Sequence, residues 1–443
     1  MRSEPALLPS RLALLVMLFA TPVWAGTLDT PAQLARERAL IGILKQPEMR
    51  AATARAEQVF RNDPQARSAA GGARLRVAAA ALAAAATHYA LGSDPSRTEV
   101  NWSVNAPHRW HGLSVPGSGF GIDNPDNVYQ GFSVQGGGRY VLHGRLPVQG
   151  PVQVHLEVRD TIPGMGDMTI EASRQLATLQ SEQWQVDADG HVRILIDSEP
   201  AAGRANHLAI PAAGVLDIGI RQLFTAWGQQ APVAFHLERL DARPSPTPRD
   251  LPRLASRAAA ILDRQAPFWL GFYDKFIYAL PVNSIPVPRA RPGGRGLSVM
   301  AHFELAADEV LMVTLDDLGA ASLGIQAADR WGLSYEYRHR TSSLNNAQAQ
   351  RDVAGTYTFL VAPRDPGYHN WIDTSGFGLG TLVLRWQALP GTRNPADAIR
   401  TVKVLKRAEL AGQLPAGQSR LSSAERRRQR AERERDYRSR LLR

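Results

Sequence analysis

The residues of this chain best able to do chemistry crowd between Trp331 and Trp386. Glu336, Arg338 and Arg340 alternate by two, a spacing that puts them on one face of a strand. Asn345 follows, and Asn370-Trp371-Ile372-Asp373-Thr374 then brings an amide, an indole and a carboxylate together, as sugar-binding sites do. Glu336 and Asp373 are the candidate catalytic residues, because two carboxylates about 5–10 Å apart carry out glycoside hydrolysis. Arg338, Arg340, Asn345, Asn370, Trp371 and Arg385 are the candidate ligand-binding set. The same residues have plainer uses. The three alternating charged groups suit a solvated sheet face, and Trp371 suits a buried corner whose loop backbone Asn370 and Asp373 satisfy. Asp365-Pro366-Gly367 is first of all a turn.

Other candidates carry less. Asn124-Pro125-Asp126-Asn127 forms a turn whose oxygens can hold a cation, without the spacing of an EF-hand. His108 and His111 flank Arg109 and Trp110, and His207 follows Asn206, but no carboxylate falls at a metal-ligand spacing. There is no Gly-x-Ser-x-Gly elbow, His-Glu-x-x-His helix, Walker loop or dinucleotide fingerprint. The absence of cysteine removes disulfides, thiolate nucleophiles, cysteine zinc sites and a lipoprotein anchor. No cofactor or metal is expected.

The elements that must position these residues fall into blocks. Residues 26–95 read as helical: Thr30-Pro31 starts a helix with Gln33 placed for a capping box, and Asn62-Asp63-Pro64 interrupts. An alanine-rich helix over 73–90 then ends before Gly92. Residues 96–240 alternate apolar and polar positions in short runs, as half-buried strands do. Residues 241–295 begin with a proline-rich linker and continue as two helical pieces. The second piece carries Phe268, Trp269, Phe272, Tyr273 and Phe276, read as core packing between the halves ahead of a ligand wall. Strands resume over 296–395. Residues 396–443 form a basic helical tail with charges on every face, read as a solvated appendage. The fold class is mainly β (α+β), two related β-sandwich or jelly-roll-like units with a helical N-terminal region and a charged C-terminal helix.

The relation between the units rests on a repeat. Gly190, a strand, Asn206 and Arg221 match Gly355, a strand, Asn370 and Arg385. Both Asn-to-Arg intervals are fifteen positions, while the Gly-to-Asn intervals differ by one. Upstream, Arg139-Tyr140 and its two strands match 301–303 and 310–315. A tandem duplication of one β-rich unit is expected, its sheets packed face to face to bury their apolar sides.

Arg2 and Arg11, the apolar run 12–20 and Val23-Trp24-Ala25 read as a signal peptide over 1–25. That run is shorter than the roughly 20 residues a bilayer requires, and no later segment is expected to cross a membrane. The net charge is +10, half of it in the tail, where nine arginines meet four acids. The remaining body is only weakly basic, which argues against nucleic-acid binding. The tail leaves contact with an anionic membrane surface open.

Ser343-Leu344-Asn345 with Gln348, Asp365-Pro366-Gly367, Asn370 to Thr374, Gly376, Gly380 and Arg385-Trp386 occur in an order that resembles the bacterial domain-of-unknown-function 1214 family, over about 296–389. Asn124 to Tyr129, Arg139-Tyr140 and Gly144 resemble the upstream part of some such proteins. The resemblance implies a β-sandwich or jelly-roll-like fold and no settled activity. The expected protein is exported to the periplasm or secreted, and binds an unknown small molecule or glycan. The alternative is a periplasmic hydrolase acting on a carbohydrate or envelope polymer.

Overall fold

The computed structural model describes residues 28–169, 174–241, 246, 248–294 and 296–442, so the expected signal peptide lies outside them. Helices α1 (Pro31–Leu44), α2 (Pro47–Asn62) and α3 (Ala69–Leu91) pack with α4 (Leu251–Tyr273). Thr30 caps α1 by accepting from Gln33 N at 3.1 Å, but Gln33 does not complete a capping box. Its amide instead donates to Glu37 and to the carbonyl of Trp102. Alanines on α3 and α4 let the axes approach closely, while Leu40, Phe60, Leu82 and Leu262 fill the gaps. By length and composition α3 is apolar enough to cross a membrane, contrary to expectation; in the fold it is the largely buried middle of this bundle. Residues 251–273 make one helix rather than two pieces, passing through Pro267 and widening into a π turn over Asp274–Tyr278.

The first β unit contains β1 (Asn101–Val104), a hairpin of β2 (His108–Trp110) and β3 (Leu113–Val115), β4 (Asn127–Gln135), β5 (Tyr140–Arg145), β6 (Gln153–Arg159), β7 (Gln175–Gln180), β8 (His191–Asp197), β9 (His207–Ala209), β10 (Val215–Leu223) and β11 (Ala234–Arg239). A five-stranded sheet, β1-β4-β10-β6-β7, packs on a four-stranded sheet, β11-β5-β8-β9. The second unit contains β12 (Arg289–Ala290), β13 (Leu297–Glu304), β14 (Glu309–Leu315), β15 (Ser322–Ala328), β16 (Ser343–Asn345), β17 (Tyr357–Ala362), β18 (Trp371–Asp373), β19 (Leu379–Gln387) and β20 (Ile399–Lys406). Its sheets run β12-β13-β19-β15-β16 and β20-β14-β17-β18. Because β20 pairs with β14, this sandwich extends past residue 395 into the segment expected to be tail. Each strand sends one set of alternate side chains into its sandwich, Leu156, Ile194 and Ile218 in the first unit and Phe303, Phe359 and Leu384 in the second.

The two units have the same strand order, including one parallel pair each, β8 with β9 and β17 with β18. Leu195 N donates to Asn206 O at 2.8 Å, and Leu360 N to Asn370 O at 2.9 Å, so these asparagines are structural equivalents. Their side chains do the same work. Asn206 exchanges two hydrogen bonds with the Gln185 backbone, and Asn370 exchanges two with that of Gln350. Gly190 and Gly355 close equivalent turns with φ of 79° and 86°, a left-handed conformation that favours glycine. The repeat seen in the sequence is a repeat of structure.

Asp126 joins the two units. Its Oδ1 accepts from Trp227 Nε1 of the first unit at 3.0 Å and from Asn345 Nδ2 of the second at 2.7 Å. Around it lies helix α6 (Ser423–Leu442), which follows the single-turn α5 (Leu410–Gln413). The tail is not a solvated appendage. Arg426, Arg433 and Arg440 recur every seven residues on one face and are buried, with Arg430 and Tyr437 between them. Arg426 and Arg430 lie over the Trp371 ring at 5.1 and 5.4 Å, and Arg433 and Arg440 over that of Trp227 at 4.3 and 4.5 Å. Arg440 donates to Pro125 O at 2.8 Å and Arg433 to Ser343 Oγ at 2.7 Å. One helix therefore bolts both sandwiches together through cations lying on indoles. Arg440→Ala should cost about 2–4 kcal/mol in denaturant unfolding. Asn370→Ala should cost more than Asn206→Ala, since Asn370 is fully buried and also donates to Thr358 O.

Candidate functional site

The outer faces of the two five-stranded sheets, together with α3 and α4, enclose a cavity of about 590 Å³. Its floor is the middle of the first unit's sheet. Gly131 on β4 lies directly across from Gly219 on β10, so two neighbouring positions lack side chains and leave a hollow. Polar residues at strand period border it: Gln153, His155, Glu157 and Arg159 on β6, and Asp217 and Arg221 on β10. The second unit adds Ser298 and Met300 from β13, and Val383, Arg385 and Gln387 from β19. The roof is aromatic. Phe268, Trp269 and Phe272 of α4 form one cluster, Trp269 meets Phe120, and Gly121 (φ 76°) lets the loop pass close to Trp269, where a Cβ would fall 2.8 Å from the ring. The aromatic cluster thus lines a cavity as well as packing on Ile122 and Tyr273.

Glu157 is held by two guanidinium groups, Arg159 at 2.6 Å and Arg221 at 3.1 Å. Asp217 stands across the ladder from Arg159. Burial raises its carboxyl to about 6, against the pull of Arg159, with Glu157 adding to the rise. Arg385, 8 % exposed, donates to Gln326 Oε1 at 2.6 Å and to Ile122 O at 2.7 Å. His88 at the end of α3 also lines the cavity. Its imidazole is held neutral by burial, and neither ring nitrogen has a hydrogen-bond partner among the described residues. A cavity of this size, apolar on one side and polar on the other, is suited to a small molecule; such sites span roughly 300–1,000 Å³.

Of the candidate catalytic and ligand-binding residues only Arg385 lines this cavity, joined by Asn127 of the candidate cation turn and by the α4 aromatics. Glu336, Arg338 and Arg340 do not share a strand face; they lie in an irregular segment before β16. Glu336 pairs with Arg338, which holds its carboxyl below the usual range despite burial. Asp373 accepts from Arg340 at 3.1 Å and Arg430 at 3.0 Å. Trp371 is buried beneath the α6 arginines and donates to Ala362 O, while Asn345 belongs to the joint at Asp126. Asn370 holds its loop, as described. The 124–127 turn serves that joint too, with Asp126 accepting from Trp227 and Asn345. His108 and Trp110 close on the Glu37 carboxylate. Sequence reasoning missed Glu157, Arg159 and Asp217, although the polar ladder of β6 was their signal.

No protein-family model matches the chain, and no curated protein does. Among solved structures, an uncharacterized protein from Burkholderia cenocepacia is similar at 22% identity and a TM-score of 0.66, over 84% of this chain and all of that one. A protein from Vibrio parahaemolyticus aligns at 9% identity and a TM-score of 0.40, over 73% of this chain and 98% of that one. The first likeness supports the fold. It carries no activity with it.

The Asp217 carboxyl binds its proton more tightly folded than unfolded, where its value is about 3.9. Its favourable contribution to stability is complete below about pH 3.9 and is lost as pH rises through about 6. Asp217→Asn should therefore match the wild type in acid and exceed it by up to about 2–3 kcal/mol at neutral pH, as read from denaturant unfolding across that range.

Proposed function

We propose that the protein is an exported binding protein, periplasmic or secreted, whose small-molecule ligand lies in the cavity between the two β units. The observation that carries this reading is the cavity itself, with its glycine hollow, charged border and aromatic roof. The export signal supports the compartment. Membership of the domain-of-unknown-function 1214 family over about 296–389, with sandwiches of the jelly-roll kind, belongs to the same proposal. Any contact of the tail with an anionic membrane surface would rest on Arg427, Arg428, Arg435 and Arg438, the arginines of α6 that face solvent.

A second reading is a hydrolase acting on a carbohydrate or envelope polymer. The observation favouring it is a carboxylate pair on one cavity-facing sheet surface: Glu157, clamped by arginines, and Asp217, protonatable near pH 6. Acid and base roles require two carboxyl groups in unlike surroundings, and only one of these two is clamped by guanidinium groups.

Thermal-shift screening with sugars and lipids distinguishes the two. Under the binding reading, at least one compound raises the Tm of the wild type and not that of Gly219→Val, whose side chain crowds Glu157 and narrows the cavity floor. Under the hydrolase reading no compound does so, while the protein turns over a glycan and Asp217→Asn abolishes that turnover.

A further inference from the structure

The duplication makes the two halves of the cavity directly comparable. Arg221 lies across from Tyr129 and His155 on its neighbouring strands, and Arg385 lies across from Ser298 and Gly324. The two arginines are equivalent, and two residues further along β6 and β15 stand Glu157 and Gln326. Each arginine reaches the same partner position: Arg221 bonds Glu157 at 3.1 and 3.2 Å, and Arg385 bonds Gln326 at 2.6 Å. The charge of the first arginine is thus met by an acid, whereas the second meets only an amide and a carbonyl. Among the described residues no carboxylate lies within ion-pair distance of Arg385. Asp123 and Asp126 act on it from further off, and their hydrogen bonds go to other groups. Asp123 accepts from Ser334 Oγ at 2.5 Å and Tyr337 OH at 3.2 Å, and Asp126 from Trp227 and Asn345.

A buried guanidinium with no carboxylate in direct contact is costly unless something supplies one. Its bonds to Gln326 and Ile122 use two of five N–H donors, which leaves enough to hold a carboxylate through two bonds. Along β19 the cavity-facing residues run Gln387, Arg385, Val383, from polar to apolar. Val383 and Met300 continue into the aromatic wall of Phe120, Trp269 and Phe272.

We infer that the cavity takes an anionic amphiphile, its acidic head on Arg385 and its apolar body against Val383, Met300 and the α4 aromatics. The inference rests on the cavity being a binding site and names the ligand class.

The test is calorimetric titration of the full chain with dodecanoate and, separately, with uncharged dodecanol. Three variants are compared with the wild type. Arg385→Gln removes the cation. Ser298→Glu places an acid directly across the ladder from it, leaving the Gln326 bonds intact. Ser298→Gln is the neutral control of the same size. Dodecanoate should bind the wild type and Ser298→Gln alike, and about tenfold or more weaker to both Arg385→Gln and Ser298→Glu. Dodecanol should bind weakly and equally to all four, and thermal melts report whether each is folded. If dodecanol matches dodecanoate in the wild type, or if folded Ser298→Glu and Arg385→Gln keep wild-type affinity for dodecanoate, the anionic head is ruled out while cavity binding stands. If neither compound binds while other, uncharged compounds shift the Tm, the ligand class assigned here falls alone. If no compound binds at all, the binding reading falls with it.

Discussion

The buried carboxylate of Asp126 is where the parts of the molecule meet. One of its oxygens accepts from an indole of the first sandwich and from an amide of the second, and the C-terminal helix donates to the carbonyl of the preceding proline. Burial by itself pushes this carboxyl up, and its donors pull it back, Asn345 foremost, with Arg440 and Arg433 nearby. Removing either donor would strip this buried oxygen of one of its two hydrogen bonds, a penalty of about 1–3 kcal/mol. Apolar contact could press two sheets together at many angles. Directional bonds to a single oxygen allow far fewer, so the cavity between the sheets takes its shape from this joint.

The helix α6 secures the joint by an uncommon route. Its polar composition gives no apolar stripe, yet it presents arginines every seven residues to tryptophans contributed by both sandwiches. A guanidinium is planar and weakly hydrated, so it stacks on an indole and still donates in its own plane. The helix is held by faces and edges of rings more than by aliphatic burial.

Much of this architecture was legible from the residues. Alternating runs marked the strands, and the matched glycines, asparagines and arginines marked the duplication, because the same turn and loop constraints act in each copy. The docking of α6 was hidden because hydropathy counts arginine as solvent-seeking, and its indole partners lie far away in the chain. The cavity stayed hidden for a related reason. Glu336 and Asp373 have the right chemistry but are neutralised by local arginines, while the ladder Gln153, His155, Glu157, Arg159 looks like a water-facing strand edge. Period two tells which side of a sheet a residue occupies. It does not tell whether that side meets solvent or a second sheet, since that depends on packing between units distant in sequence.

Joining both copies in one polypeptide has a consequence that an association of identical subunits would not permit. In a symmetric dimer any substitution appears twice, so the two arginines would share one fate. Covalent fusion releases each copy to drift separately, and here one arginine faces glutamate while its counterpart faces glutamine. The cavity thereby acquires polarity, with an arginine paired to an acid on one side and an arginine bonded only to neutral groups on the other. A guest with two unlike ends can then be held one way round.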